Sequence, residues 1–140
     1  MATDFKARRI AQIMDRCIHF TGIQHDTCEA GVRYDSVRDE SKKPYAWPCF
    51  AKDEASTVCS LVARPTRADA EAEAEESQRR IQRVVTARKG ITDVHGKARG
   101  VRGHMPCPNA CGGTLHYSIA GVNGHIHGQC STKGCAAWME

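Results

Sequence analysis

Four cysteines in the last quarter of the sequence constrain the fold more than any other feature. They form two pairs separated by 18 residues, Cys107 with Cys111 and Cys130 with Cys135. This spacing is typical of a metal site in which two tight turns each present two thiolates in the same direction. Four thiolates suit tetrahedral zinc and leave no open coordination position, so such a site supports structure rather than catalysis. Nearby histidines are less favoured ligands: His104, His116, His125 and His127.

The segment between the two pairs predicts a β-hairpin. Apolar residues at 115, 117 and 119 alternate with more polar ones, as in a half-buried strand. Asn123-Gly124 is a type I′ turn signal, and residues 125–127 open the expected return strand. The hairpin would therefore carry one cysteine pair before it and the other at its far end.

Residues 105–140 resemble the zinc-ribbon family, most clearly in the run Cys-Pro-x-x-Cys-Gly-Gly-x-Leu from Cys107 to Leu115. Zinc ribbons usually have two residues between paired cysteines; here there are three and four, which zinc sites tolerate. Glycines beside the cysteines are placed to let backbone amides approach the sulfurs: Gly112, Gly113 and Gly134. Trp138 is expected to cap the small core of the ribbon, with base stacking as the alternative.

Four further cysteines punctuate the N-terminal part of the sequence: Cys17, Cys28, Cys49 and Cys59. The first residues contain no apolar signal segment, so we expect a cytoplasmic protein with thiols rather than disulfides. Aromatic residues make up only 6% of the chain, so a metal is the natural organiser of this part. We expect a second four-cysteine site and two Zn²⁺ per chain, with His19 or His25 as an alternate ligand. An iron–sulfur cluster at the second site is the alternative.

The same N-terminal segment resembles small uncharacterised proteins of tailed phages and prophages. The shared run is Cys-x-His-Phe-x-Gly-x-Gln-His-x-x-Cys-x-Ala-Gly-Val-x-Tyr, from Cys17 to Tyr34, followed by a later Pro-Cys. The resemblance covers about residues 17–60. It implies a phage accessory protein in the bacterial host cytoplasm and brings no assured activity.

Overall, the sequence predicts a small, metal-stabilised α+β fold that begins with an irregular Cys-rich module over 1–64. An amphipathic helix is expected at about 4–19, with Asp4 as N-cap and Cys17 on its apolar face. A short strand at Val32–Tyr34 is one option for the less periodic segment that follows. The long gaps between its cysteines match no standard zinc finger.

A solvated linker helix is expected over 65–90. Thr66 and Asp69 have the spacing of a capping box, and Gly90 is expected to end the helix. Its short apolar face consists of Ile81, Val84 and Val85. The helix is therefore interpreted as a spacer, with pairing to a partner or to itself as the alternative. A flexible basic Gly-rich linker is expected over 91–104, ahead of the zinc ribbon at 105–140.

Positive charge is concentrated in the middle of the chain. Residues 61–78 carry two basic and five acidic side chains, whereas residues 79–104 carry eight basic side chains against Asp93 alone. This distribution predicts binding of DNA or RNA through phosphate contacts with the linker and the ribbon. The eight candidate contacts are Arg79, Arg80, Arg83, Arg88, Lys89, Lys97, Arg99 and Arg102.

Other classes of function are less favoured. No phosphate-binding loop, Gly-x-Ser-x-Gly elbow or His-Glu-x-x-His motif occurs, and Cys28 beside His25 suits a ligand better than a nucleophile. We expect no enzyme. The chain has no run of 18 apolar residues, so no membrane span is expected. The alternative to nucleic-acid binding is a module that binds a host protein such as a polymerase or a defence factor; an iron–sulfur or redox sensor is the third possibility.

Overall fold

The computed structural model describes residues 2–22, 24–37, 48–50 and 59–140. Two α helices and a four-stranded antiparallel sheet are described, which confirms the α+β class. The chain divides into two compact units, Met1–Glu75 and Glu76–Glu140. Part of the Cys-rich module predicted over 1–64 lies outside the described residues. None of the helices in the described ranges has the length and apolar character needed to cross a membrane.

In the first unit, helix α1 covers Ala2–Met14 and is shorter than the predicted helix over 4–19. It stops because the backbone that follows bonds elsewhere. The Cys17 N–H donates to the Cys49 carbonyl at 2.7 Å, and the Ile18 N–H donates to the Ala63 carbonyl at 2.9 Å. The prediction that Cys17 lies on the helix is therefore wrong, although its side chain is buried as expected.

Helix α1 packs against the beginning of helix α2, which covers Arg67–His95. Ile13 is buried against Ala70 and Ala74 of α2, with Ile10 and Met14 partly buried beside them. Two ion pairs flank this contact, Arg16 with Glu73 at 2.9 Å and Lys6 with Glu75 at 2.8 Å. Alanine allows the close approach of two helices, so these small residues serve as contact positions as well as helix formers.

The start of α2 has the predicted capping box. The Asp69 N–H donates to the Thr66 hydroxyl at 3.2 Å, and the Thr66 N–H donates to the Asp69 carboxylate at 3.3 Å. The two side chains also bond to each other at 2.6 Å. These contacts satisfy backbone donors that the first turn of any helix leaves without a helical partner.

The end of α2 differs from the prediction, because the helix continues through Gly90 and ends at His95. A Cβ atom at position 90 would lie 2.4 Å from Cγ of Pro108, so the absence of a side chain allows the first cysteine turn to approach the helix. The helix instead ends at Gly96, whose φ is +57° and whose N–H donates to the Thr92 carbonyl at 2.7 Å.

The sheet of the second unit has four strands in the order β1-β2-β3-β4, all antiparallel. The strands are β1 at Val101–Pro106, β2 at Thr114–Ile119, β3 at Ile126–Cys130 and β4 at Ala137–Trp138. The predicted hairpin is β2–β3. The predicted flexible linker over 91–104 is wrong at both ends, because 91–95 belong to α2 and 101–104 pair with β2 as part of β1.

The hairpin connection also differs from the predicted type I′ turn. That turn needs positive φ at both central residues, and only Gly124 has it, at +75°. The Gly124 N–H donates to the Ala120 carbonyl at 3.0 Å, and the Ala120 N–H donates to the His125 carbonyl at 2.9 Å. A longer loop, Ala120 to His125, therefore joins the two strands.

The core of the second unit lies between one face of the sheet and α2. Its fully buried side chains come from both, Ile91 and Ala87 from the helix and Leu115 from β2. The predicted apolar face is only partly correct, because Val84 packs on this core while Ile81 and Val85 remain half exposed. Trp138 packs on the same core, as expected, over Gly128 of the adjacent strand.

Candidate functional site

The four C-terminal cysteines meet as the sequence predicts: Cys107, Cys111, Cys130 and Cys135. Their sulfur atoms all lie within 4.8 Å of one another. The Cys107 and Cys135 sulfurs are 3.7 Å apart, and those of Cys111 and Cys130 are 3.5 Å apart. A tetrahedral zinc site with bonds of about 2.3 Å places its sulfurs about 3.8 Å apart. The separations therefore fit a shared metal ion, and they are far longer than a disulfide bond of about 2 Å.

The sheet positions these ligands. Cys107 follows the last residue of β1, and Cys130 is the last residue of β3. Each turn closes on itself, with the Cys107 N–H donating to the Gly113 carbonyl at 2.9 Å and the Cys130 N–H donating to the Ala136 carbonyl at 2.8 Å. In the first turn Ala110 takes a left-handed conformation, with φ of +53°. Ala110 is the last of the three residues between Cys107 and Cys111, and its N–H donates to the Cys107 carbonyl at 3.1 Å.

Backbone amides reach the sulfurs of Cys130 and Cys111, and of the three glycines predicted to allow this, Gly113 is the one that does so among the described residues. The Thr132 N–H donates to the Cys130 sulfur at 3.4 Å. Hydrogen bonds from the Thr132 side chain and the Gly113 backbone lower the pKa of Cys111 to about 6. A Cβ at position 113 would lie 2.3 Å from the Thr132 hydroxyl oxygen and 3.0 Å from the Cys130 sulfur, so a side chain there would displace neighbours of the site. Such donors stabilise thiolate, which is the form that binds metal.

The pKa values of Cys135 and Cys107 shift in the opposite direction from that of Cys111. Burial raises the pKa of Cys135 to about 12, and hydrogen bonding with the Cys111 and Cys107 thiols acts in the same direction. Burial also raises the pKa of Cys107. Four thiolates packed together in this space repel one another, and a divalent cation at their centre would remove that repulsion.

Asn109 links the cysteine quartet to helix α2, a role that the sequence analysis did not predict. Its side-chain amide donates to the Arg83 carbonyl at 2.9 Å and also lies 3.7 Å from the Cys135 sulfur and 3.8 Å from the Cys107 sulfur. One side chain therefore bonds both the helix backbone and two ligands. Its position inside the first cysteine turn was the available signal, because hydrogen-bond donors beside the ligands of a metal site orient them.

The four N-terminal cysteines have a looser arrangement. All of them line one cavity of about 10 Å³: Cys17, Cys28, Cys49 and Cys59. Within the described ranges, however, only the C-terminal quartet brings its ligand atoms within 4.8 Å of one another. The cavity is comparable to the space that one water molecule needs. The structure thus brings the four predicted ligands to one cavity, but it does not place all their sulfur atoms within 4.8 Å of one another.

The surroundings of this cavity distinguish the two candidate histidines. His19 lines it, whereas His25 is exposed and is not among its lining residues. Burial raises the pKa of Cys49, and the neighbouring thiols of Cys17, Cys59 and Cys28 act in the same direction. The Ala63 N–H donates to the Cys17 sulfur at 3.5 Å, as amides do in thiolate sites.

The strand suggested at Val32–Tyr34 is reduced to a single bridge between Thr27 and Arg33.

Most of the eight predicted phosphate contacts already have partners within their own unit. Arg79, Arg80 and Arg83 surround Glu76 at 2.9, 3.6 and 3.5 Å. These arginines lower the pKa of Glu76, chiefly through the hydrogen bond from Arg79. Arg88 bonds Glu140 at 2.6 Å, Lys89 bonds Asp93 at 2.6 Å, and Arg99 donates to the Val122 carbonyl at 2.8 Å.

Lys97 and Arg102 are different, because neither has an ion-pair or hydrogen-bond partner among the described residues. Arg102 is exposed in β1, on the side of the sheet away from the core. No Asp or Glu occurs between Asp93 and Glu140, so all four strands lack carboxylate side chains. The sheet thus offers an exposed cation without nearby acidic residues in its own strands.

Comparisons with protein-family models, with curated proteins and with solved structures find no match. The site is therefore interpreted from its own geometry.

Proposed function

We propose that the C-terminal quartet binds Zn²⁺ and that the zinc holds the ribbon together. The observation that supports this is the separation of 3.5 to 3.7 Å between paired sulfurs. Four thiolates in tetrahedral geometry favour zinc over the hard cations, which prefer oxygen. Because every coordination position would be taken by sulfur, the ion would stabilise the structure and would take no part in catalysis.

The N-terminal quartet is proposed to bind a second zinc ion, with His19 as the alternate ligand. Two observations support this proposal: the four cysteines line one cavity, and the three other thiols raise the pKa of Cys49. A small adjustment of the four side chains would be needed to reach zinc–sulfur bonds of about 2.3 Å. An iron–sulfur cluster or a redox function is the alternative, since clusters also take four cysteine thiolates.

Metal content and colour test both assignments. Protein purified without added metal is expected to contain two zinc ions per chain and to be colourless. The Cys111→Ser and Cys28→Ser variants are each expected to lose one of the two ions. A brown protein that contains iron would support the cluster at the N-terminal site. A chain with no bound metal would contradict both sites.

We further propose that the protein is a phage-type accessory protein that binds nucleic acid through its second unit. The supporting observation is the acid-free sheet that carries Arg102, which has no ion-pair or hydrogen-bond partner among the described residues. Phosphate groups are attracted to such a surface, and the ion pairs elsewhere show that most arginines of α2 are already engaged. The candidate interface, predicted to comprise the linker and the ribbon, is thereby narrowed to the sheet of the second unit.

Salt dependence tests this function. Binding of a fluorescein-labelled oligonucleotide to the zinc-loaded chain is expected to weaken steeply between about 50 and 200 mM salt, because phosphate contacts release counterions. Fluorescence anisotropy measures the dissociation constant at each salt concentration. Undetectable binding of DNA and RNA at about 50 mM salt would contradict nucleic-acid binding.

The second candidate function is binding of a host protein such as a polymerase or a defence factor. One observation favours it: α2 leaves Ile81 and Val85 50% and 52% exposed, one turn apart on the same helix. A host protein captured from bacterial lysate would support this function if capture persists after nuclease treatment and is lost in an Ile81→Lys/Val85→Lys variant. Capture that disappears with nuclease would return the assignment to nucleic acid.

A further inference from the structure

Six polar side chains form two rows across the open face of the sheet in the second unit. The strand register places Arg102 opposite Ser118, and Ser118 opposite His127. It also places His104 opposite His116, and His116 opposite Gln129. The two rows are two residues apart along each strand, which corresponds to about 7 Å. They therefore form one continuous polar surface over three strands.

This surface is the face opposite the core and the thiolates. Leu115, Ile119 and Ile126 alternate with the row residues and are buried towards α2. Cys130 pairs with Leu115 in the register, so its sulfur lies on that covered face as well. The open face thus contains no thiolate of the quartet, and its strands contain no carboxylate to repel a phosphate.

The chemistry of the two rows suits a nucleotide chain. Arg102 is exposed and has no partner among the described residues, so its guanidinium is available to phosphate. His104 and His116 are both exposed, and their ring centroids are 6.0 Å apart. Planar side chains of this kind stack on bases, whereas Ser118 and Gln129 supply hydrogen-bonding groups. An open groove of about 710 Å³ runs along part of this face, lined by members of both rows.

We propose that this face binds single-stranded nucleic acid, with Arg102 and His127 contacting phosphate and with His104 and His116 stacking on bases. The inference rests on the proposed nucleic-acid function and specifies its site and its substrate. Single strands are favoured over duplex because bases can stack on a protein ring only when they are unpaired. A flat sheet face also presents no element that projects into the major groove of a duplex.

The test uses the full zinc-loaded chain and fluorescein-labelled oligothymidylate of about 12 nucleotides, a length in the usual range for sheet platforms. A duplex of the same length is the comparison ligand. Arg102→Gln removes the cation of this face, for which the described part of the chain supplies no partner. Lys133→Gln is the matched control, because Lys133 is exposed in the loop between β3 and β4. His104→Ala/His116→Ala removes both rings, whereas His104→Tyr/His116→Tyr retains aromatic faces. Zinc content and circular dichroism confirm that each variant is folded.

The single strand is expected to bind at least about tenfold more tightly than the duplex. Arg102→Gln should weaken binding about fivefold and lower the salt slope by about one, whereas Lys133→Gln should change affinity less than about twofold. The double alanine variant should lose about tenfold or more, and the double tyrosine variant should stay within about threefold of the wild type.

Four results would overturn the inference. If the wild type binds but the Arg102→Gln and double alanine variants bind equally well, this face is not the site and the proposed function survives. Equal or tighter binding of the duplex, or equal losses for Arg102→Gln and Lys133→Gln, would likewise reject the single-strand platform alone. A wild type that binds neither ligand rejects the platform and the proposed function together.

Discussion

The two cysteine quartets of this chain differ in the secondary structure that carries their ligands. The C-terminal quartet lies at the ends of paired strands, and its sulfurs already have the separations of a tetrahedral zinc site. The N-terminal quartet surrounds a small cavity lined by turns, coil and two short 3₁₀ helices, Tyr34–Val37 and Pro48–Phe50. Its sulfurs do not converge to the same extent. A sheet and a packed helix thus fix where the C-terminal ligands lie, whereas the N-terminal ligands, in described segments with little regular structure, depend more on the metal itself.

The largest expected effect is a difference in how the two quartets retain zinc. Because the ligands of the C-terminal site are already placed, we expect a chelator to remove the N-terminal zinc first, at a concentration at least about tenfold lower. Stepwise titration with a chromogenic chelator measures the two releases, and the Cys28→Ser and Cys111→Ser variants identify each step. Simultaneous release of both ions, or earlier release from the C-terminal site, would show that the sheet does not preorganise its ligands.

The second prediction tests the packing of α2 against the first cysteine turn. Gly90→Ala would ordinarily stabilise a helix by about 1 kcal/mol. Here the added methyl would overlap the Pro108 ring, so we expect a net destabilisation of about 1 to 3 kcal/mol. Chemical denaturation of the zinc-loaded chain measures the free energy of unfolding. Gln78→Ala, at an exposed position of the same helix, is the control and should change stability by less than about 0.5 kcal/mol.

The difference between the quartets also explains what the sequence predicted and what it missed. Cys107 to Cys135 could be assigned because metal spacing in a two-turn site is a local property of the chain. The capping box of Thr66 and Asp69 was predicted for the same reason, and the structure confirms it. The gaps between the N-terminal cysteines fit no local turn, so the sequence predicts the set but does not determine its geometry.

The missed elements depend on contacts between distant parts of the chain. Gly90 was interpreted as a helix end, yet it is a position where the helix backbone approaches Pro108. Ala87 was not among the residues of the predicted apolar face, yet it is fully buried in the core of the second unit. The glycines of 91–104 indicated a flexible linker, so β1 was not predicted. Pairing with β2 outweighs the weak strand propensity of this segment.

The third prediction concerns Asn109, which bonds both the helix and the thiolates. Asn109→Ala would remove the donor shared by the Arg83 carbonyl and two sulfurs, so the C-terminal zinc should bind about tenfold more weakly. Asn109→Asp should weaken zinc binding further, because a carboxylate beside the thiolates adds electrostatic repulsion. Competition with a chelator measures both affinities, and the N-terminal zinc of the same molecules is the internal control. Unchanged retention in both variants would leave the sheet alone as the cause of preorganisation.

The smallest expected effect comes from Glu140, whose carboxylate accepts hydrogen bonds from the Ile126 N–H at 2.9 Å and from Arg88 at 2.6 Å. The bond from the Ile126 backbone, followed by Arg88, lowers the pKa of Glu140 below the usual 4.5. A carboxyl whose pKa is lower in the folded state contributes stability above its unfolded pKa and loses that contribution as the pH falls through the folded value.

Glu140→Gln should therefore lower stability near pH 7 by no more than about 1 kcal/mol, since the group is partly exposed. The difference between variant and wild type should remain constant from pH 7 to about pH 5 and should shrink below about pH 4.5. Thermal unfolding in matched buffers at each pH measures it, and Lys133→Gln controls for a change of one surface charge. A difference that grows as the pH falls has the wrong sign for a stabilising carboxylate.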